Sequence, residues 1–247
     1  MTSWPQGYAL KTFDVIDSTN EEAKRLAARD EAGPIWISAA RQTAGRGRRG
    51  RVWESPTGNL AATLMLRPGK PASECAQLSF AAAIAACDAL RDFAPASELR
   101  VKWPNDVLAD GRKISGILLE SSAAAGEVPA WLAIGIGINL SMHPEGTEFP
   151  ATSLKAQGAT VPTPDDALLH LAAHFAQWHA RWRDEGFAPI RDGWLARAAG
   201  LGTRIRARLA TAETCGVFEG IDDSGALILR ESAGQVRHIA AGEVFFA

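Results

Sequence analysis

The run Ile134-Gly135-Ile136-Gly137-Ile138-Asn139 limits what this chain can build more than any other stretch. As a strand, its period of two puts the three isoleucines on one face and Gly135, Gly137 and Asn139 on the other. The isoleucine face belongs to a core. A glycine row on a central strand forgoes side-chain packing, so it marks the close approach either of another backbone or of a ligand, and Asn139 ends the bare row with a polar handle.

The surrounding elements mix helices and strands, as in an α/β unit. Leu60 to Leu66 reads as a buried strand, and Glu74 to Phe93 as an alanine-rich helix with Leu78, Ala81, Ala82, Ala85 and Ala89 on one side. Val101 to Asn139 is strand-rich. Within it Asp110-Gly111 is a two-residue hairpin signal, pairing Ala109 with Arg112 and Leu108 with Lys113 through a type I′ turn. Continued unbroken, that register sets Asp106 opposite Ser115 and Asn105 opposite Gly116, with Asp106, Leu108, Lys113 and Ser115 on one face. The acid and the cation then form either an exposed cross-strand pair or two sides of a site. From Gly200 onward, short strands (203–209, 215–221, 226–230, 236–239 and 244–246) around the turn Asp222-Asp223-Ser224-Gly225 suggest a small β-barrel appended to the larger unit, dividing the chain into 1–198 and 199–247.

Ala44-Gly45-Arg46-Gly47-Arg48-Arg49-Gly50-Arg51-Val52-Trp53 concentrates cations on a backbone rich in glycine. With Arg41, five arginines fall between 41 and 51, and no acid intervenes before Glu54. The glycines mimic a dinucleotide fingerprint, but a turn at Ser55-Pro56-Thr57-Gly58-Asn59 replaces the helix which that motif requires, and no Gly-Lys-Ser or Gly-Lys-Thr closes a phosphate loop. An anion site and a solvated basic loop both remain open. Ser18-Thr19-Asn20-Glu21-Glu22 opens a helical pattern, and Ser18 with Glu21 has capping-box spacing. A ligand meeting the same helix terminus is compatible with capping.

His170, His174 and His179 invite comparison with a zinc helix. However, Leu168, Leu171, Ala172, Phe175, Trp178 and Trp182 form the apolar stripe, while His170 and His174 fall with Gln177 and Arg181 on the polar one, with no carboxylate or third ligand nearby; no zinc is expected. At 247 residues and 47% hydrophobic, the chain can bury a full-sized core. The N-terminus has neither a basic region nor an apolar run, and no stretch is long and apolar enough for a membrane span, so a cytoplasmic protein without a membrane partner is expected. Cys75, Cys87 and Cys215 are odd in number and lack Cys-x-x-Cys spacing, as expected of reduced thiols.

Four blocks, in order, resemble the biotin protein ligases, also called biotin–acetyl-CoA-carboxylase ligases. They are Asp17-Ser18-Thr19-Asn20; the Gly-Arg-Gly-Arg-Arg-Gly loop, with Gln42 before it; Val101-Lys102-Trp103-Pro104-Asn105-Asp106 through Gly111-Arg112-Lys113 to Glu120; and Ile134 to Asn139. The resemblance covers nearly the whole chain. It implies an α+β fold, the mixed-sheet catalytic domain of the biotin/lipoate protein ligase type with a small SH3-like C-terminal β-barrel, together with biotin and ATP as substrates, biotinyl-5′-AMP as intermediate, and a biotin carboxyl carrier domain as the partner whose lysine accepts the acyl group. No winged-helix segment precedes Ser18, so the likeness is to short, monofunctional members, with no DNA partner; relatives leave a homodimer through a sheet edge open.

The resemblance also implies roles. Ser18, Thr19, Asn20, Gln42, Arg46, Gly47, Arg48, Lys113, Gly116, Gly135 and Gly137 surround biotin, and Arg46, Arg48, Trp53, Lys102, Asn105 and Asn139 surround the nucleotide. Lys113, Arg48 and Asp106 are the catalytic candidates, Asp106 also as a holder of Mg²⁺, and Trp53 is a lid. Fixed cations suit the chemistry, because a carboxylate attacking the α-phosphate of ATP brings two anions together, and no nucleophilic side chain is needed. Lipoate or octanoate ligases share the architecture but differ in these blocks. A nucleic-acid-binding module built on Arg41–Arg51 sits poorly with a net charge of −2 and no interleaved aromatics.

Overall fold

The computed structural model describes residues 2–122, 127–232 and 234–246. Its larger sheet has seven strands: β1 (Ala9–Ile16), β2 (Ile35–Gln42), β3 (Leu60–Leu66), β4 (Leu99–Lys102), β5 (Asp106–Ala109), β6 (Arg112–Ser121) and β7 (Leu132–Ile138), in the order β1-β2-β3-β7-β6-β5-β4. Only β1 and β2 run parallel; every other pairing is antiparallel. Helices α1 (Thr19–Ala28), α2 (Ala72–Cys75), α3 (Leu78–Phe93), α4 (Pro164–Glu185) and α5 (Ala188–Leu195) complete this part. The helix expected from Glu74 is broken around Ala76-Gln77, so that α2 and α3 are separate.

Strand alternation decides what covers each face. Ile134, Ile136 and Ile138 pack with Leu60, Ala62 and Leu64 into one large core beneath α3 and α4. Burying each isoleucine stabilises the fold by about 1.5–3 kcal/mol. On the opposite face Ile35, Ile37, Met65 and Ala133 meet Ala23 and Leu26 of α1. Because α1 has only 10 residues, it covers part of that face. The remainder, where Gly135 and Gly137 lie, is left for a cavity.

The hairpin turn forms as expected: Asp110 and Gly111 have φ of 47° and 75°, and Ala109–Arg112 and Leu108–Lys113 pair. Beyond them the expected register fails. A shift between Val107 and Leu108 leaves Ile114 extra, so Val107 faces Ser115 and Asp106 faces Gly116. Such a bulge moves every later side chain on the bulged strand to the other face. Ser115 is therefore buried on Val107's side of the sheet, and Gly116 takes the place beside Asp106.

Strands β8 (Arg204–Arg208), β9 (Glu213–Ile221), β10 (Leu227–Glu231), β11 (Val236–Ile239) and β12 (Glu243–Phe246) form an antiparallel sheet ordered β11-β10-β9-β8-β12. It packs closely on the larger part. Phe218 meets Trp194 edge-on, and Trp103 Nε1 donates to Gly225 O at 3.0 Å. No helix among the described residues is long and apolar enough to cross a membrane.

Candidate active site

The uncovered half of the sheet floors a cavity of about 370 Å³. Every residue expected around biotin or the nucleotide lines it except Asn105, whose side chain donates to Ile117 O, fastening β6. The glycines explain the floor's shape. A Cβ on Gly135 would fall on Asn20 Oδ1, and one on Gly137 on the Trp53 indole, so these positions exist to let α1 and the loop close onto the strand.

At one end a chain of neutral polar groups is buried. Gln42 Oε1 accepts from Thr19 N at 2.8 Å and from Thr19 Oγ1 at 3.0 Å, while Gln42 Nε2 donates to Ser55 Oγ at 2.8 Å. Thr63 Oγ1 lies 2.7 Å from Thr19 Oγ1 and 2.6 Å from Asn20 Oδ1. Ser18 is the N-cap of α1, yet its side chain makes no capping hydrogen bond. The expected capping box is absent because Glu21 is occupied elsewhere, accepting from Arg46 at 2.6 Å.

At the other end cations gather on one carboxylate. Lys113 Nζ stands 2.7 Å from Asp106 Oδ1, and Lys102 Nζ 3.8 Å from Oδ2. Lys102 is 5% exposed and sits 3.0 Å above the Phe149 ring; burial pushes its ammonium down to about 8 against the opposing pull of Asp106. Burial likewise lowers the Arg48 pKa, with Asp106 and Glu243 the nearest opposing charges. At this end of the cavity Lys102, Lys113 and Arg48 gather around two acids, Asp106 and Glu243.

The arginine loop does not lie free. A short 3₁₀ turn, Arg48–Gly50, is closed by Gly47 N donating to Arg51 O at 2.7 Å. Acids distant in sequence hold its other arginines: Arg46 pairs with Glu21 and, at 3.3 Å, with Glu120, while Arg51 pairs with Glu243 at 2.8 Å. Arg208 of β8 joins Glu243 at 2.8 Å, and hydrogen bonds from Arg208 and Arg51 hold that carboxyl low even though burial pushes it the other way. Arg48 alone among the loop's cavity-lining arginines makes no ion pair among the described residues. Trp53 lies inward over Gly116 and Gly137, its ring 5.6 Å from Lys113 Nζ.

Asp106, expected to hold Mg²⁺, is already shared between two ammonium groups, those of Lys113 and Lys102. Asn139 lines the cavity, but its amide is committed, Nδ2 donating to Thr152 O at 3.1 Å. On α4, His170 and His174 do have a carboxylate beside them: Asp92 of α3 lies 2.6 Å and 3.0 Å from their ring nitrogens. His179 instead packs at the margin of the core, half-buried, stacked on Phe175 and hydrogen-bonded to Tyr8 at 2.8 Å, where burial lowers its pKa to about 4. Glu120, Thr63, Phe149 and Glu243 are site neighbours that no local sequence pattern marks, since each is brought in by tertiary packing.

Residues 12–139 match the Biotin/lipoate A/B protein ligase family, and residues 200–247 match the Biotin protein ligase C terminal domain. A biotin–[acetyl-CoA-carboxylase] ligase of Paracoccus denitrificans is 52% identical over 93% of this chain and 97% of its own length. The bifunctional ligase/repressor BirA of Bacillus subtilis is 36% identical over 92% of this chain and 71% of its own. The solved biotin protein ligase from Aquifex aeolicus, in complex with biotin and ATP, superposes with a TM-score of 0.81 at 26% identity, covering 96% of this chain and 97% of that one. A mixed sheet with a glycine-floored cavity, the order of the four sequence blocks and these matches agree: the chain belongs to the biotin/lipoate A/B protein ligase family and carries the C-terminal domain of its biotin protein ligases.

Proposed function

We propose that this protein is an ATP-dependent ligase that activates biotin as biotinyl-5′-AMP and transfers it to a lysine of a biotin carboxyl carrier domain. The observation that carries the reading is the cavity's polarity: hydroxyl and amide groups over a glycine floor at one end, and Lys102, Lys113 and Arg48 around Asp106 at the other. In the first step a carboxylate oxygen of biotin bonds to the α-phosphorus of ATP, and the bond to pyrophosphate breaks. Both reactants are anions, and cations fixed in a dry site offset their repulsion more strongly than water does. Lys113, half-buried and held by Asp106, is the donor to the charge that develops between them. In the second step the carrier's amine attacks the acyl carbon, AMP leaves, and the amine releases a proton.

Ser18, Thr19, Asn20, Gln42, Gly116, Gly135 and Gly137 take the ureido ring and its valeryl chain, with Arg46, Gly47 and Arg48 closing above. Lys102, Trp53 and Asn139 face the nucleotide. Asn105 supports the site only through β6, and Asp106 acts by anchoring the two lysines. Support for these roles comes from their convergence on one cavity. A catalytic unit of 1–198 with a C-terminal unit of 199–247, a cytoplasmic location, a carrier domain as partner and a homodimer belong to the same reading, without a DNA or membrane partner. Biotin, lipoate and octanoate offered in parallel in an ATP–pyrophosphate exchange assay test it: exchange with biotin alone is expected, and exchange driven by lipoate or octanoate but not biotin would overturn it.

A further inference from the structure

The arginine loop is tied to the rest of the fold largely by charge. Backbone bonds attach it only as far as Ala44, whose N–H donates to Asp17 O at 2.8 Å. From Gly45 to Trp53 the backbone hydrogen bonds among the described residues stay within the loop. Trp53 N donates to Gly45 O at 3.0 Å and Gly47 N to Arg51 O at 2.7 Å, so Arg46 faces Val52 on the stem of a small hairpin. Two ionic clasps hold this hairpin down. Arg46 reaches Glu21 on α1 at 2.6 Å and Glu120 on β6 at 3.3 Å, and its hydrogen bond holds the Glu21 carboxyl below the usual range. Arg51 reaches Glu243 on β12 at 2.8 Å. The first clasp stands beside the lid, because Trp53 is bonded to Gly45, the residue before Arg46, and a Cβ on Gly45 would fall 2.4 Å from Trp53 O. Fixing Arg46 therefore fixes the stem from which the Trp53 ring lies over Gly116 and Gly137.

We propose that Glu21 and Glu120 are positioning residues for the lid: by clasping Arg46 they hold Trp53 over the cavity and set how long the acyl-adenylate stays bound. An ionic clasp suits a lid that must open to admit the carrier amine, because ion pairs this exposed are individually weak and part without any rearrangement of the packed core. This rests on the biotin-ligase reading and adds to it the groups that time the release of its intermediate.

Glu21→Gln removes one charge of the clasp and leaves every cavity-lining side chain in place. Dissociation of preloaded, labelled biotinyl-adenylate, followed by a chase with the unlabelled compound, is expected to speed up about two- to fivefold in this variant. With Glu120→Gln added it should reach about tenfold, the size of effect that exposed ion pairs carry. In ATP–pyrophosphate exchange the kcat of Glu21→Gln should stay within about twofold of the natural protein. Two further readouts separate a clasp from a general loss of stability. Raising the ionic strength from about 0.05 to about 0.5 M should speed release from the natural protein more than from the double variant, which has less charge left to screen. In a Trp53→Ala background, where no lid ring remains to be held, Glu21→Gln should add less than about twofold. Unchanged release from the double variant, a fall in the kcat of Glu21→Gln as large as its gain in release rate, a salt effect undiminished in the double variant, or full multiplication of the Trp53→Ala and Glu21→Gln effects would overturn the role. A natural protein that forms no biotinyl-adenylate would instead overturn the ligase reading.

Discussion

Lys113→Ala separates the charge of the site from its placement. Lys113 Nζ is 2.7 Å from Asp106, with Lys102 3.8 Å away on the same carboxylate. Two unit charges 4 Å apart interact by about 4 kcal/mol at the effective dielectric typical of such sites, so a cation at the meeting point of carboxylate and phosphate is worth a few kcal/mol to the transition state. Deleting one preorganised donor costs about 100- to 1000-fold in turnover in comparable sites, and a loss of that size in kcat for biotin-dependent exchange is expected here, with a smaller loss of biotin affinity. The substitution also leaves Asp106 with fewer cations around it, an anion in the path of two others. Adding Asp106→Asn removes that anion and restores the net charge without restoring the donor. The double variant should therefore remain at least about tenfold below the natural protein. Exchange near the natural rate in Lys113→Ala, or full rescue by Asp106→Asn, would refute the assignment.

Arg48→Gly removes the loop arginine that lines the cavity without an ion pair, while Arg46 and Arg51 keep their acids; the variant should still form the adenylate but release it early, and labelling of bystander proteins together with adenylate dissociation reads this out, tight retention contradicting it. Lys102 has a pKa of about 8, below the ordinary lysine value of 10.5, so its charge is present at lower pH and is lost as pH rises through about 8. Exchange should fall along that limb, and Lys102→Arg should shift the limb upward or abolish it; an unshifted limb would assign it to another group. Gly135→Ala puts a methyl group on Asn20 Oδ1, which should cost about 1–3 kcal/mol in thermal or urea unfolding and weaken biotin binding, measurable by calorimetry. An alanine variant as stable and as tight-binding as the natural protein would show that Asn20 does not need that approach.

Much of this site is legible in the chain because its parts are local patterns. The alternation at Ile134–Asn139 gives both the core face and the bare face, and Asp110-Gly111 gives a turn whose positive φ angles the structure bears out. The register beyond the turn is not legible: a single extra residue, Ile114, reverses the facing of Ser115 and Gly116, and no local propensity signals it. The arginine loop reads as unpaired charge because its partners lie far away in sequence, Glu21 upstream and Glu120 and Glu243 downstream. Strands β1 and β2 carry no plain local signal, for different reasons. The first is a half-exposed edge with a broken alternation, and the second mixes Ser38, Ala39 and Ala40 into its apolar run. Asp92 reaches His170 and His174 only because α3 and α4 pack side by side, a contact that helical periodicity within α4 does not reveal.

Transfer itself tests the central claim most directly. The purified protein, incubated with ATP, biotin and an isolated biotin carboxyl carrier domain, should convert the carrier to a species heavier by one biotinyl group, on a single lysine located by peptide mass mapping, and replacement of that lysine by arginine should abolish the product. Octanoate or lipoate in place of biotin should leave the carrier unmodified. A carrier that stays unmodified with biotin and ATP, or one that accepts octanoate as readily as biotin, would contradict it.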